Sequence, residues 1–466
     1  MPSEDVLTWT ATRLAVAVRH REIASRELLS LALDRIERIN PKLNAVVTLD
    51  VERAAAQAAA ADDITAHGES TGPLHGLPIT VKDALETAGL RSTGGATELT
   101  DHVPVLDAPA VARLRAAGAI VFGKTNVPRW SGDLQTYNEI FGTTNNPWNL
   151  SRVPGGSSGG AAAAVATGLT SFELGTDIGG SVRIPAHSCG VFGLKTTYGV
   201  VPQRGYLDRV GGGVSDADIN VLGPIARGAD DLDLLLGVVG GPLDEDAAGW
   251  RLDLPAPKAT NLADYRVGVW FDEPSVPLGA EVRAVARRTS DVLADAGARV
   301  EEAHPGVAFE EQVTLFMEAV GAAVSPGMDP ALGEVVAGSH LNWLHALDRR
   351  ARLRREWADW FDGYDLLLCP VMPVEAFPHN QEGDFIDRTI DIDGVDHPYP
   401  SLISWTGLIG IMGLPSAVPP IGSTATTGMP VGLQVVAPWY HDREAIVAAG
   451  LLADACAAGY RVPPLD

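Results

Sequence analysis

The sequence predicts a layered α/β fold, and three observations support this prediction. Helical patterns with apolar residues on one face alternate along the chain with short runs of β-branched residues. The 466 residues are 46% hydrophobic and 20% charged, which is typical of a globular chain that buries a large core. No apolar run approaches the roughly 18 residues that a membrane-spanning helix requires.

The first elements follow one another near the N-terminus. Leucine and isoleucine residues between positions 25 and 40 recur at the spacing of one helical face. The β-branched run at 44–49 predicts a short strand, and the Ala-rich segment 51–61 predicts a second helix. Residues 78–83, PITVKD, predict a strand that leaves a turn and ends near Lys82.

The same alternation recurs further along the chain. A helix that ends at Gly118 precedes a strand at 119–122. Another unit has a strand at 265–271, a helix around 281–296 and a short strand at 298–301. Between these units, the turn-rich and acidic segment 237–261 is interpreted as a surface excursion within one domain, with an interdomain linker as the alternative.

Charge and cysteine content exclude several classes of function. With 35 basic and 59 acidic residues, the formal net charge is −24, which argues against a general binder of nucleic acid or anionic membranes. Cys189, Cys369 and Cys456 lie far apart and predict buried thiols of a reducing compartment. The N-terminal segment carries acids where a signal peptide has bases, so we expect a cytoplasmic protein.

Residues 155–159 match G-x-S-x-G, the nucleophile elbow of α/β-hydrolases. An elbow must follow a strand, whereas residues 145–154 form a predicted loop with two prolines. His397 and His441 lie in turns without a supporting pattern. An ordinary Ser-His-Asp hydrolase is therefore disfavoured, and the serines need another explanation.

Two serines, Ser157 and Ser181, each follow a Gly-Gly pair. Such glycines can turn several backbone N–H groups toward one point, as an oxyanion hole requires. Lys82 is a candidate base, because burial can lower the pKa of a lysine toward neutrality. Ser-Lys variants of the nucleophilic triad are a known solution.

With these residues in place, the sequence resembles the amidase signature family of serine hydrolases over essentially its whole length. The resemblance implies a single α/β/α domain, residues 1–466, with a twisted mixed β-sheet flanked by helices. The matching blocks are GLPITVKD (76–83), VFGKTN (121–126), NNPWN (145–149), PGGSSGG (154–160), GTDIGGSVRIPA (175–186), CGVFGLK (189–195), LGPIAR (222–227), YDLLLCPVMP (364–373), GLPSAVPPI (413–421) and GMPVGLQVVAP (428–438).

The resemblance also implies roles for individual residues. Ser181 would be the acylated nucleophile, and Ser157, on a cis peptide bond, would bridge it to the base Lys82. The oxyanion hole would consist of four backbone N–H groups, and three further side chains would support the loop without reacting. These residues are Ile178, Gly179, Gly180 and Ser181 for the oxyanion hole, and Ser158, Asp177 and Arg183 for the support. No metal or organic cofactor is required.

The substrate expected from this resemblance is a small amide, such as an aryl or alkyl amide or an anilide. The same chemistry opens carbamates (urethanes) and activated esters. We expect neither a nucleic-acid nor a membrane partner, and monomer and homodimer remain open. The candidate pocket residues are Trp130, Tyr137, Tyr206, Trp405 and Met412.

One alternative within the same family is the amidase subunit of a tRNA-dependent amidotransferase, which releases ammonia from glutamine. A glutamine pocket should be polar, and the apolar stretch 402–415, LISWTGLIGIMGLP, fits this poorly. Another alternative, a catalytically inactive binding module, is disfavoured because all three triad positions are filled.

Overall fold

A mixed nine-stranded sheet forms the centre of the molecule, and a three-stranded sheet lies beside one of its edges. The computed structural model describes residues 4–465. The helices are α1 Ala11–Arg19, α2 Ser25–Leu43, α3 Val51–Ala66, α4 Pro109–Ala116, α5 Gly159–Ala166, α6 Arg183–Cys189, α7 Ala229–Val239, α8 Ala280–Asp295, α9 Phe309–Val324, α10 Pro330–Ala337, α11 His340–Phe361, α12 Ser404–Met412 and α13 Asp442–Ala455. The strands are β1 Val46–Leu49, β2 Pro78–Lys82, β3 Ile120–Thr125, β4 Tyr137–Asn138, β5 Gly142–Thr143, β6 Glu173–Asp177, β7 Phe192–Lys195, β8 Val221–Ala226, β9 Arg266–Val269, β10 Arg299–Glu302, β11 Leu366–Pro370, β12 Thr389–Ile392, β13 Val395–Pro398, β14 Ser416–Val418, β15 Pro420–Ser423 and β16 Pro430–Val436.

The large sheet runs in the order β10-β9-β11-β16-β14-β7-β8-β6, with β15 paired to β16. Strand β9 pairs in parallel with both β10 and β11, and the other pairs are antiparallel. Alternate residues of β11 face two separate apolar clusters, because successive side chains of a strand point to opposite faces. Leu366 and Leu368 belong to one cluster, whereas Leu367 and Cys369 belong to the other.

Helices cover both faces of this sheet. The first cluster includes side chains of α1, α7, α8 and α13, and the second includes side chains of α5, α6, α9, α11 and α12. The α/β/α layering and the mixed sheet expected from the sequence are confirmed. Cys189 and Cys369 are free and buried, as predicted, whereas Cys456 is only partly buried.

The small sheet has the order β1-β3-β2 and meets the large one at its edge strand β6. A buried carboxylate joins them: the Glu173 Oε1 atom on β6 accepts hydrogen bonds from Thr80 Oγ1 at 2.7 Å and Thr125 Oγ1 at 2.8 Å. This junction brings the ends of β2 and β6 side by side. Lys82 therefore lies next to Thr176.

Several predicted elements are longer than the sequence patterns indicated. Strand β3 continues to Thr125, three residues beyond its predicted end, because it pairs on both sides with β1 and β2. Helix α2 runs past Pro41 to Leu43 and ends where Asn44 adopts a left-handed conformation. Gly118, predicted to end a helix, follows α4 with a φ of +96°.

The strands on either side of segment 237–261, β8 and β9, belong to the same large sheet. The Arg113 guanidinium holds the beginning of the segment by donating to the carbonyls of Val239 at 2.6 Å and Gly241 at 3.2 Å. Near its end, the Lys258 N–H donates to Glu444 at 2.7 Å. Within residues 4–465, none of the helices combines the length and the apolar character that crossing a bilayer requires.

Candidate active site

Lys82 ends β2 and is completely buried. Its Nζ lies 2.7 Å from Ser157 Oγ and 2.7 Å from Thr176 Oγ1. Burial lowers the pKa of Lys82 to about 7, although the charges of Asp177 and Glu173 act in the opposite direction. An amine with this pKa is substantially neutral near pH 7 and can accept a proton there.

Ser157 lies in the loop that precedes α5. The Gly156–Ser157 peptide bond is cis, and Gly155 has a φ of +81°. A Cβ atom on Gly155 would lie 2.8 Å from the Cα of Pro185, so only glycine fits this approach of the loop to α6. The Ser158 N–H donates to the Ser181 carbonyl at 3.2 Å, and this bond joins the two serine-bearing loops.

Ser181 lies between the end of β6 and the start of α6, and 8% of its surface is exposed. The carboxylate of Asp177 organises this turn by accepting from the N–H groups of Gly180 at 2.9 Å and Val182 at 3.1 Å. Arg183 donates to the same carboxylate at 3.0 and 2.7 Å. Burial alone would raise the pKa of Asp177, but the Arg183 guanidinium outweighs it and holds that pKa below its usual value.

The residues expected to form the oxyanion hole differ in their hydrogen bonds and neighbours. The Gly180 N–H, expected to be an oxyanion donor, instead donates to the Asp177 carboxylate. An N–H that already donates to a carboxylate is not free for a substrate oxygen. The Gly179 carbonyl accepts from Thr406 Oγ1 at 2.7 Å, which fixes the orientation of the peptide. A Cβ atom on Gly179 would lie 3.5 Å from Phe316 Cζ and 3.7 Å from Ile403 Cδ1. Apolar side chains therefore pack against this turn at Gly179.

Replacement of Arg183 by methionine is expected to lower the free energy of unfolding by about 3–5 kcal/mol, because it leaves the charge of Asp177 buried without its partner. Both side chains are 0% exposed, and Arg183 also donates to the Thr406 carbonyl at 2.8 Å and to Gln434 Oε1 at 2.7 Å. Urea denaturation followed by circular dichroism measures the change. The matched control is Arg443→Ala, whose ion pair with Asp233 is 39% and 50% exposed and is worth at most about 1 kcal/mol. A loss below about 1 kcal/mol for Arg183→Met would contradict the expectation.

Two of the candidate pocket residues, Tyr206 and Trp130, differ in their burial and in their neighbours. Tyr206 is buried beside Thr176, and burial raises the pKa of its hydroxyl to about 12. Trp130 is partly exposed, and its ring carbon Cε3 lies 3.4 Å from the position of a Cβ atom on Gly94. Tyr206 thus contacts a residue that binds Lys82.

The other three candidate pocket residues are Tyr137, Trp405 and Met412, and each contacts a different group of side chains. The Tyr137 hydroxyl donates to Asp133 at 3.1 Å and accepts from Arg388 at 2.8 Å. Trp405 is completely buried, with ring centroids 5.7 Å from Trp270 and 5.1 Å from Phe309. It therefore supports α12 from within an aromatic cluster. Met412 ends α12 and lines a cavity of about 330 Å³ together with Trp357 and Trp439.

Sequence patterns did not reveal Thr176 and Phe316 as residues that shape the site, and they indicated Ile403 and Thr406 only as members of the apolar stretch 402–415. Thr176 lies within the block GTDIGG, directly before Asp177. This position beside the loop aspartate is the sequence signal that could have indicated its role. Phe316 carries no motif, and both Phe316 and Ile403 are distant from Gly179 in the sequence. Only the packing of α9 and α12 brings them to this turn.

Comparisons with known proteins relate the chain to one family. A family model described as Amidase matches residues 27–328 and 319–446. A glutamyl-tRNA(Gln) amidotransferase subunit from Roseiflexus sp. (strain RS-1) is 34% identical, and the match covers 93% of each chain.

Two solved structures have the same fold. A bacterial aryl acylamidase of the amidase signature enzymes family has a TM-score of 0.82 at 26% identity, with 96% of each chain covered. The corresponding glutamyl-tRNA(Gln) amidotransferase subunit from Thermotoga maritima also has a TM-score of 0.82, at 25% identity with 100% of each chain covered. The fold therefore does not distinguish these two kinds of enzyme.

Proposed function

This chain belongs to the amidase signature family, whose members hydrolyse amide C–N bonds, and from that premise we propose that it does so through an acyl-enzyme on Ser181. The observation that carries the proposal is the buried contact of 2.7 Å between Lys82 Nζ and Ser157 Oγ. It supplies a base whose pKa is lowered to about 7, together with a hydroxyl that can relay the proton.

In the proposed first step, neutral Lys82 accepts a proton from Ser157 while Ser157 accepts the proton of Ser181. The Ser181 oxygen attacks the carbonyl carbon, and the carbonyl oxygen becomes an oxyanion. We assign its stabilisation to the N–H groups of Ile178, Gly179 and Ser181, since the Gly180 N–H serves Asp177.

The intermediate then collapses with cleavage of the C–N bond. The proton returns from Lys82 through Ser157 to the leaving nitrogen, so the amine departs neutral rather than as an anion. Water attacks the acyl-enzyme with the same residues serving as base and relay. Its oxygen is retained in the carboxylic acid product, and Ser181 recovers its proton.

We assign the acyl group to uncharged aryl or alkyl substrates. Phe316 and Ile403 pack beside Gly179, at 3.5 and 3.7 Å from a Cβ position there, and these hydrocarbon side chains support an apolar acyl site next to Ser181. Transfer of an apolar group from water to such a surface lowers the free energy, whereas a charged group would lose its favourable hydration there. Aryl carbamates and activated esters present the same carbonyl to Ser181 and are further expected substrates.

A second candidate is the glutamine-hydrolysing component of a tRNA-dependent amidotransferase. The 34% identity of the glutamyl-tRNA(Gln) amidotransferase subunit from Roseiflexus over 93% of each chain favours this candidate. Among the solved structures, the aryl acylamidase at 26% and the Thermotoga subunit at 25% are not distinguished by identity. The apolar side chains beside Gly179 favour the first candidate, because the α-amino and α-carboxylate groups of glutamine need polar partners. The second candidate also requires partner subunits, whereas the first does not.

Amine or ammonia release by the purified chain separates the two candidates. The panel contains 4-nitroacetanilide, a phenyl carbamate, butyramide and glutamine, each assayed with the wild type and with Ser181→Ala. We expect kcat/KM for the anilide to exceed that for glutamine by at least about 100-fold, because the charged ends of glutamine would lose water without gaining partners. Release from glutamine alone, or no release until the other amidotransferase subunits are added, would overturn the first candidate and support the second.

A further inference from the structure

The loop of residues 133–136 packs directly against the backbone that carries Ser157. A Cβ atom on Gly156 would lie 2.5 Å from the Asp133 carbonyl oxygen, so no space separates the two loops. Thr136 Oγ1 donates to the Gly155 carbonyl at 2.9 Å and accepts from the Gly159 N–H at 3.2 Å. The backbone is therefore held on both sides of Ser157 by this one loop.

The Asp133 carboxylate determines the shape of the 133–136 loop. Its Oδ1 atom accepts from the N–H groups of Leu134 at 2.7 Å and Gln135 at 3.2 Å. Three side chains donate to the same carboxylate: Arg388 at 2.6 Å, Tyr399 at 2.9 Å and Tyr137 at 3.1 Å. The ion pair is sheltered from water, since the Arg388 and Asp133 side chains are 6% and 8% exposed. Water therefore screens the attraction between the two charges only weakly.

Arg388 lies in the segment before β12, 255 positions after Asp133. Its guanidinium also donates to the Gly383 carbonyl at 2.9 Å and to the Tyr137 hydroxyl at 2.8 Å. A second link runs beside it, in which the Asn380 N–H donates to Gln135 Oε1 at 2.9 Å. The C-terminal segment 380–399 thus clamps the 133–136 loop onto the Ser157 loop.

We propose that Arg388 is a positioning residue of the amidase site, which acts through Asp133 and the 133–136 loop to hold Ser157 Oγ within reach of both Lys82 and Ser181. The inference rests on the proposed relay. Among the described residues, the hydrogen bonds of the Arg388 side chain go to Asp133, Tyr137 and the carbonyls of 382–383, and none goes to Lys82, Ser157 or Ser181. Proton transfer depends steeply on distance, and a displacement of about 1 Å costs a rate factor on the order of 100.

The test compares Arg388→Ala, Arg388→Lys and the control Arg443→Ala with the wild type. Folded active sites are counted by stoichiometric reaction with a fluorophosphonate, which forms a covalent bond to an activated serine. Two rates are then measured per active site: hydrolysis of 4-nitrophenyl acetate, and the fluorophosphonate reaction itself. Tyr399→Phe serves as a milder variant, because it removes one hydrogen bond to Asp133 and keeps the ring between Phe377 and Phe385.

We expect Arg388→Ala to lower kcat and the fluorophosphonate rate about 30- to 100-fold per active site, with KM changed less than about threefold. Arg388→Lys should recover about tenfold, because an ammonium can keep the charge of Asp133 paired but cannot reproduce the planar fork. Tyr399→Phe should lower both rates about three- to tenfold, since it removes one neutral donor from a charged acceptor. The midpoint of the pH profile should stay near 7 in every variant, because the surroundings of Lys82 are unchanged.

Per-site rates equal to those of the wild type in Arg388→Ala would overturn the proposal, since a merely structural role changes only the number of folded sites. If Arg388→Ala does not fold, unchanged per-site rates in Arg388→Lys and Tyr399→Phe would overturn it equally. Failure of the proposed function gives a different result, in which the wild type itself fails to hydrolyse the ester. The fluorophosphonate rate then still reports whether Arg388 affects the reactivity of Ser181.

Discussion

Replacement of Ser181 by alanine is expected to lower kcat for 4-nitroacetanilide by about 10⁴-fold or more, with no loss of folded protein. Ser181 lies in the turn that Asp177 organises and keeps an exposed fraction of 8%, whereas Ser157 is completely buried, so Ser181 is the serine assigned to form the acyl-enzyme. Removing the nucleophile leaves only the binding groups and the oxyanion donors, which retain a small residual catalysis.

The measurement is nitroaniline release over a range of substrate concentrations, combined with intact-mass analysis after reaction with a fluorophosphonate. The wild type should gain one adduct, and the variant none. Ser188→Ala is the matched control: Ser188 is a buried serine of the helix after Ser181, and its Oγ has no hydrogen-bond partner among the described residues. A stoichiometric adduct on Ser181→Ala would show that another residue is the nucleophile.

Replacement of Lys82 by methionine is expected to lower kcat/KM about 10³-fold, because the relay then has no base at its end. Methionine keeps a long unbranched side chain in a site that is completely buried, so the fold should tolerate it. Lys42→Met is the control, since the Lys42 ammonium lies at the surface and donates to the carbonyl of Leu465, at 3.3 Å, near the C-terminus. A loss below about tenfold in Lys82→Met would contradict the role of Lys82 as base.

The pH dependence gives an independent check on Lys82. Its pKa is lowered to about 7, so wild-type kcat/KM should be flat above pH 7 and fall about tenfold for each pH unit below it, where Lys82 is protonated. Asp177 and Glu173 face this lysine and raise its pKa, while burial lowers it. The residual activity of Lys82→Met should lack this acidic limb.

The same shift predicts an effect on stability. The unfolded chain holds the proton of Lys82 up to a pKa near 10.5, whereas the folded chain releases it near 7. The unfolded state therefore binds more protons between these values. The free energy of unfolding of the wild type, relative to Lys82→Met, should rise with pH across this window and stay level below it. A relative stability that falls with pH in urea denaturation would contradict the shift.

Some of the site could be read from short stretches of sequence because its determinants are local. A strand that ends at Lys82 follows from the β-branched run before it, and the loops around Ser157 and Ser181 follow from their glycines. The ends of elements were less predictable: β3 continues to Thr125 because two neighbouring strands pair with it. No sequence pattern indicated that the Tyr137 hydroxyl contacts Asp133 and Arg388.

The sequence by itself determined the family, the alternation of helices and strands, and the identity of three candidate catalytic residues. Only the tertiary structure decided what surrounds them: the 2.7 Å distance between Lys82 Nζ and Ser157 Oγ and the burial of both, the apolar side chains of Phe316 and Ile403 beside Gly179, and the clamp by Arg388. The physical reason is the range of the forces involved. Backbone conformation depends on neighbouring residues, whereas burial, pKa and substrate contacts depend on segments that meet only when helices pack on the sheet.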